Sequence, residues 1–331
     1  MPELRRDVVT GVWVIVSPER QVRPQYFKSV GSDGLLPGDC PFCAGNEKMT
    51  PPEIYALRGN GSLANLPGWQ LRVIPNKYPA LRVEGQLNRR GEGFYDKMNG
   101  IGAHEVVIET PFHQIGLDEL PVAAVTDILR TFKYRLADLK QDFRFKYIQV
   151  FKNCGDKAGA TIPHPHSQIV ALPVVPEAIN DRLNRAQDHF YVKERCIYCD
   201  ILNQELDYGR RVLCENSDYV VFAPFAATFP FQLMIYPRRH CAAYEATDEL
   251  RLHLLAEILQ DGLTRLNRVL NRPAYNLLLH NNPFDRDATS YFHWHIELVP
   301  VISGTGGFEL ATQSYINAIP PEEAVEILKK Q

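Results

Sequence analysis

The sequence predicts an α+β fold made from two copies of one unit, antiparallel sheets with helices packed on them. Three recurrences point to it. Asp118-Glu119-Leu120 returns as Asp248-Glu249-Leu250. The apolar stripe that follows, Val125, Ile128, Leu129, Phe132, Leu136 and Leu139, returns 130 residues later as Leu255, Ile258, Leu259, Gly262, Leu266 and Val269. Cys40-Pro41-Phe42-Cys43 and His164-Pro165-His166-Ser167-Gln168 have the counterparts Cys196-Ile197-Tyr198-Cys199 and His293-Trp294-His295-Ile296-Glu297. A stripe alone is shared by many unrelated helices. Knuckle, stripe, strand and His-x-His recurring in one order mark an internal duplication, divided into residues 1–176 and 177–331.

Taken in order, Trp13 to Val16 reads as a short strand, followed by a loop holding Arg20 and Arg23 and a Gly-rich turn. Cys40 to Cys43 reads as a tight knuckle. Trp69 to Pro75, Leu81 to Val83 and Glu105 to Glu109 are strand-like. Pro121 to Lys140 fits a helix with its stripe on the core. Tyr147 to Phe151 is a buried strand that feeds Lys152 to Ala160, a basic loop whose Gly155 and Gly159 let backbone N–H groups face a phosphate. Thr161 to Val170, read as extended chain, puts His164, His166 and Gln168 on one face. Residues 177–195, with Ile179, Leu183 and Ala186 inward, form a joining helix. In the second copy Tyr275 to Leu279 is the strand and Asn282 matches Asn153. Ser303 to Glu309 is too flexible for regular structure, and Pro320 to Lys330 closes the chain as a helix.

With 331 residues, 45% apolar and 23% charged, the chain has the composition of a soluble globular protein. A net charge of −3 gives no electrostatic reason to expect nucleic acid as a partner. No run approaches the roughly 18 apolar residues that span a membrane. Val8 to Val16 leads into Ser17-Pro18-Glu19-Arg20 and not into a cleavage site. The expected location is the cytoplasm.

Seven cysteines, an odd number containing two Cys-x-x-Cys pairs, do not make a secreted disulfide framework. Each pair needs two further ligands to bind a tetrahedral metal, and histidine is the usual supplement. The first set is Cys40, Cys43, His113 and His164; the second is Cys196, Cys199, His240 and His293, with His280 as a competitor. The two loop histidines precede the two strand histidines by 51 and 53 residues, and this agreement favours two zinc sites over redox dithiols. The second site is open to another divalent metal. Cys154, Cys214 and Cys241 are expected to be ordinary small buried residues, and His104, His189 and His253 to be surface or core residues without a special role.

Two imidazoles and an amide in a row suit phosphorus chemistry. A metal on His164 would fix its strand and so aim His166. A neutral imidazole can attack phosphorus near pH 7 and pass the group on. Gln168 cannot protonate a leaving alkoxide, but it can donate to a non-bridging phosphoryl oxygen.

On the knuckle, the loop histidine, His164-Pro165-His166-Ser167-Gln168, Ile74-Pro75-Asn76-Lys77-Tyr78-Pro79-Ala80-Leu81 and the tail from Gly306 to Ile319, the chain resembles the galactose-1-phosphate uridylyltransferase branch of the histidine-triad superfamily. The resemblance implies two histidine-triad-like halves and a ping-pong nucleotidyl transfer. His166 would attack the α-phosphorus of UDP-glucose, and hexose 1-phosphate would take the UMP from a uridylyl-histidine. It implies phosphate-binding roles for Arg20 and Arg23, supplied from the partner subunit of a homodimer with a shared active site. It gives nucleotide and phosphate contacts to Asn76, Asn153, Gly159 and Thr161, and hexose contacts to Phe308 and Glu309. His295 and Glu297 read as a degenerate relic. Three departures stand out: Lys77 where many members have Asp, Ser303 where some have Lys, and cysteines at the second metal site. They lean towards the ADP-glucose phosphorylase-like members, which carry two zinc knuckles and adenylylate their histidine; the leading expectation is a hexose-1-phosphate uridylyltransferase of galactose metabolism, with ADP-glucose phosphorylase-like adenylyl transfer as the alternative. From a different class, a zinc-stapled nucleotide-binding module without turnover would also fit.

Overall fold

A computed structural model of the chain describes residues 2–19, 38–59, 61–113 and 115–330. Arg20 and Arg23 lie outside the described residues. The strands are β1 (Glu3–Arg6), β2 (Trp13–Val16), β3 (Tyr55–Arg58), β4 (Trp69–Pro75), β5 (Arg90–Glu92), β6 (Tyr95–Lys97) and β7 (Ala103–Ile108). After helix α1 (Val122–Leu139) come β8 (Tyr147–Cys154) and β9 (His166–Leu172), then α2 (Glu177–Lys193) and α3 (Ile197–Tyr208). The chain continues through β10 (Val212–Glu215), β11 (Tyr219–Phe222), β12 (Leu233–Pro237), α4 (Glu249–Leu270), β13 (Tyr275–His280) and β14 (His295–Pro300). It ends with α5 (Gly307–Thr312), β15 (Tyr315–Asn317) and α6 (Pro321–Lys329).

Ten strands make one sheet in the order β10-β11-β12-β14-β13-β8-β9-β7-β4-β3. Read outward from the middle, β8-β9-β7-β4-β3 and β13-β14-β12-β11-β10 follow the same path, so the duplication in the sequence is a duplication of topology. The copies meet edge to edge where β13 pairs antiparallel with β8, Asn276 opposite Asn153. The pairing of sheets is thus through backbone ladders, and helices bury the apolar faces. Ile148 and Val150, Ile169 and Ala171, Leu277 and Leu279, and Ile296 and Leu298 alternate onto one face. There the stripes of α1 and α4, with Val325 and Leu328 of α6, cover them in one continuous core.

The other face differs between the copies. Over the second copy, α2 and α3 lay Leu183, Ala186, Tyr198 and Leu202 on Val220, Phe222 and Tyr236. Over the first, among the described residues, lies a small cluster, Cys40, Phe42, Trp69, Ile74, Val106 and Ile108.

Several expected elements shift. Leu81 to Val83 is no strand; Arg82 makes a lone bridge to Ile101. The histidine strand begins at His166, because Pro163 and Pro165 have no N–H to give a ladder. Helix α5 starts at Gly307 inside the stretch expected to be irregular, with Glu309 accepting the Gly306 N–H at its first turn. Phe151 pairs with Gln168 as Leu278 pairs with Glu297, an offset of 127 that, carried two residues on, makes His280 and not Asn282 the counterpart of Asn153.

Candidate active site and metal centres

The first knuckle is closed by the Cys43 N–H donating to the Cys40 carbonyl. The segment after β7 carries His113, and the turn before β9 carries His164. Cys40, Cys43, His113 and His164 converge, as do Cys196, Cys199, His240 and His293, the donor atoms of each set lying within 4.8 Å of one another. In the first set His164 Nδ1 is 3.3 Å from His113 Nδ1 and 3.5 Å from Cys43 Sγ. In the second, Cys199 Sγ is 3.3 Å from His240 Nδ1 and 3.5 Å from His293 Nδ1. A tetrahedral zinc spaces two nitrogens about 3.3 Å apart, and a sulfur and a nitrogen about 3.6 Å. The separations given for both sets are thus close to those of donors around one four-coordinate ion. His280 is not part of either; it stacks on His295 with ring centroids 4.6 Å apart.

Hydrogen bonds settle which ring nitrogens are free. His164 Nε2–H donates to the Thr110 carbonyl at 2.8 Å, so its bare Nδ1 faces the cluster. His166 Nδ1–H donates to the His164 carbonyl at 2.8 Å, so its Nε2 is the bare nitrogen. Burial pushes His164 down to about 4 and lowers His166 as well, which keeps both rings neutral at pH 7. Phe42 packs its ring 5.3 Å from that of His166.

Beneath His166, on the helix side of the sheet, lies a buried ion pair. Lys152 Nζ donates to Glu109 at 2.7 Å and to the His166 carbonyl at 3.2 Å, and Ser167 Oγ donates to the other Glu109 oxygen at 2.5 Å. His166, Lys152, Asn153 and Gly155 line a cavity of about 700 Å³. Gly155 and Gly159 adopt φ of +86° and +91°, which L side chains avoid. A Cβ on Gly159 would also meet Asn153 Nδ2 at 3.3 Å.

The remaining expected residues are divided. Gln168 shares the face of His166 on β9, and its Oε1 lies 2.8 Å from Nε2 of His104. His104, expected to be idle, is thus joined to the site, and Asn76 sits against it, its N–H donating to the His104 carbonyl at 2.8 Å. Thr161 is exposed in the turn before β9. Phe308 and Glu309 belong to another region: Glu309 lines a second cavity of about 1040 Å³, together with His295, Glu297 and Arg182. One chain does not bring the tail to His166.

That second cavity belongs to the other copy. His295 Nδ1–H donates to the His293 carbonyl at 2.9 Å, repeating the bond made by His166. Yet His280 bonds Glu297 at 2.8 Å, Gln232 bonds its other oxygen at 2.6 Å, and Tyr236 and Tyr198 stand 4.9 and 5.5 Å from the His295 ring. The counterpart of His166 thus borders the second cavity but is flanked by aromatic rings.

Comparison with known proteins agrees with this geometry. The family model described as galactose-1-phosphate uridyl transferase, N-terminal domain, matches residues 1–176, and one described as a domain of unknown function (DUF4921) matches 125–331. The ADP-glucose phosphorylase of Arabidopsis thaliana is 38% identical, covering 99% of this chain and 93% of that protein. The galactose-1-phosphate uridylyltransferase of Thermotoga maritima is 28% identical over 100% of this chain and 98% of its own. The crystal structure of the Arabidopsis phosphorylase with bound ADP-glucose superposes with a TM-score of 0.86 at 37% identity, covering 100% and 99% of the two chains. A uridylyltransferase structure does so with 0.77 at 27% identity, covering 100% and 98%. Fold and site together define an enzyme that transfers nucleotidyl groups. The chain belongs to the galactose-1-phosphate uridylyltransferase family. Among the described residues no helix is long and apolar enough to cross a membrane.

Proposed function

We propose that this enzyme is an ADP-glucose phosphorylase-like adenylyltransferase working through a covalent histidine. His166 Nε2 attacks the α-phosphorus of ADP-glucose; the bond to the bridging oxygen breaks and glucose 1-phosphate leaves. Inorganic phosphate then attacks the adenylyl-histidine, giving ADP and restoring the ring. The observation that carries the chemistry is the His166 ring, held by its Nδ1–H with Nε2 bare. Support for adenine over uridine comes from the higher identity to the Arabidopsis phosphorylase and from the two Cys/His clusters. Zinc is the ion we assign to both, with Cys40, Cys43, His113 and His164 as one ligand set and Cys196, Cys199, His240 and His293 as the other. Four protein ligands leave no open position, so the metals staple the fold and hold His164.

In this reading Gln168 donates to a non-bridging oxygen, while Asn153, Gly159, Thr161 and Asn76 contact phosphate and nucleotide. A second copy of the chain supplies Arg20 and Arg23, and also the tail with Phe308 and Glu309, which a single chain leaves apart from His166. The halves 1–176 and 177–331 are then one working and one structural histidine-triad-like unit. Uridylyl transfer from UDP-glucose to galactose 1-phosphate is the second reading, favoured by the full-length match to the Thermotoga enzyme.

Incubating the enzyme with α-³²P-labelled ADP-glucose or UDP-glucose and then denaturing it tests this. The expected result is one labelled AMP per chain, absent in His166→Gly. Label from UDP-glucose alone would transfer the assignment to the second reading, and no label from either would remove the covalent mechanism.

A further inference from the structure

We propose that His104 is a positioning residue that fixes which end of the Gln168 amide faces the reacting phosphoryl group. This rests on the nucleotidyl-transfer reading above. The amide of a glutamine can present either its oxygen or its NH2 group, and only the NH2 group stabilises phosphoryl charge. Something must choose.

The choice follows from one backbone donor. The Ala80 N–H donates to His104 Nδ1 at 3.2 Å. A backbone nitrogen can only donate, so Nδ1 is the bare nitrogen of a neutral ring and the ring proton sits on Nε2. That proton points at Gln168 Oε1, 2.8 Å away. With Oε1 engaged, the Nε2 amino group of Gln168 is turned away from His104. Rotating the amide would set its NH2 against the His104 Nε2–H, donor against donor. Asn76 Nδ2 lies 3.1 Å from the same ring nitrogen, but it too is a donor, and its Oδ1 is taken by the Tyr78 N–H at 2.9 Å. Oε1 of Gln168 therefore remains as the acceptor for the ring proton.

The position of His104 makes this possible. It stands on β7 across from Val170, two pairs along from the partners Val106 and Gln168, so that strand alternation puts His104 and Gln168 on the same face. The turn after β4 folds Ala80 back over the ring. The same turn carries Asn76, whose N–H donates to the His104 carbonyl. Amide orientation is thus tied to the segment that holds Asn76.

Two measurements test the proposal. The first is the single-turnover rate of histidine labelling in His104→Leu, His104→Gln, Gln168→Ala and the double variant His104→Leu/Gln168→Ala. Loss of one phosphoryl donor costs about 10²-fold. We expect His104→Leu to slow labelling about 10- to 100-fold with little change in KM, since the amide is then free to turn. The Gln side chain, with an NH2 near the ring Nε2 position, recovers most of the rate. The double variant should be no slower than Gln168→Ala. A wild-type rate in His104→Leu, or a full additional loss on top of Gln168→Ala, overturns the assignment.

The second measurement, the ¹⁵N NMR tautomer of His104, does not depend on activity. An Nε2–H ring with bare Nδ1 is expected, and an Nδ1–H ring refutes the inference even if labelling is seen. A wild-type enzyme that takes no label while His104 shows the expected tautomer overturns the transfer reading and with it the catalytic part of this proposal.

Discussion

Asn276 donates its side-chain N–H to Asn153 Oδ1 at 2.9 Å, across the seam where β13 meets β8. The same amide donates to the Ala158 carbonyl at 2.9 Å. One side chain of the second copy thus holds both an asparagine and the glycine loop of the first. Asn276→Leu strips the donor from both acceptors. We expect KM for the nucleotide sugar to rise about tenfold, about 1.4 kcal/mol, with kcat changed less. Steady-state kinetics check this, and an unaltered KM would show that the loop holds itself.

The ion pair under His166 should matter for stability before it matters for rate. Lys152 and Glu109 side chains are 4% and 0% exposed. Lys152→Met leaves a buried carboxylate without its cation, at a cost of about 3–5 kcal/mol. Removing both charges in Lys152→Met/Glu109→Gln should recover much of that loss. Urea denaturation of the three proteins checks the order. A single variant as stable as the parent would mean that the ion pair adds nothing to the fold.

Elemental analysis should find about two zinc ions per chain, one for each four-residue cluster. Cys43→Ala should drop the count by one and abolish labelling, because His164 loses its anchor two residues from His166, the proposed nucleophile. His240→Ala should also lose one ion while retaining most of the labelling, since its cluster serves the covered copy. A count unchanged in both variants would dismiss the clusters as metal sites.

Glu53 offers a pH test. Burial opposes its charge, but hydrogen bonds from Arg58 and then Arg72 outweigh this and hold its carboxyl below the ordinary 4.5. A depressed folded-state value means the carboxylate contributes stability above the ordinary range. That contribution is lost as pH falls through the folded value. Glu53→Gln should therefore be less stable by about 3 kcal/mol at pH 7, and the gap should close with acidification below the carboxylate range. Melting temperatures across the acid range read it; a gap that persists in acid would point to packing alone.

The sequence disclosed what is local or repeated. Cys40, Cys43, His113 and His164 could be grouped because a second set had nearly the same intervals, and α1 because its stripe has helical spacing. His104 could not be found this way. Its partner is 64 residues away, and nothing local states how β7 lies against β9. The same blindness to register made Asn282 look like the mate of Asn153, since 129 residues separate the His-x-His strands while the preceding strands are offset by 127. Helix α5 was hidden by the glycines before it, where Glu309 supplies the first-turn acceptor that starts it.

Because β8 and β13 each complete the other's ladder, a cut between the two groups of strands would give fragments with a raw border of unsatisfied amides and carbonyls running along what had been the middle of the molecule. Each border is a template for the other, and equally for a copy of itself. Such fragments should stick to one another or clump. The second copy is therefore not spare: it is the wall against which the first one is built.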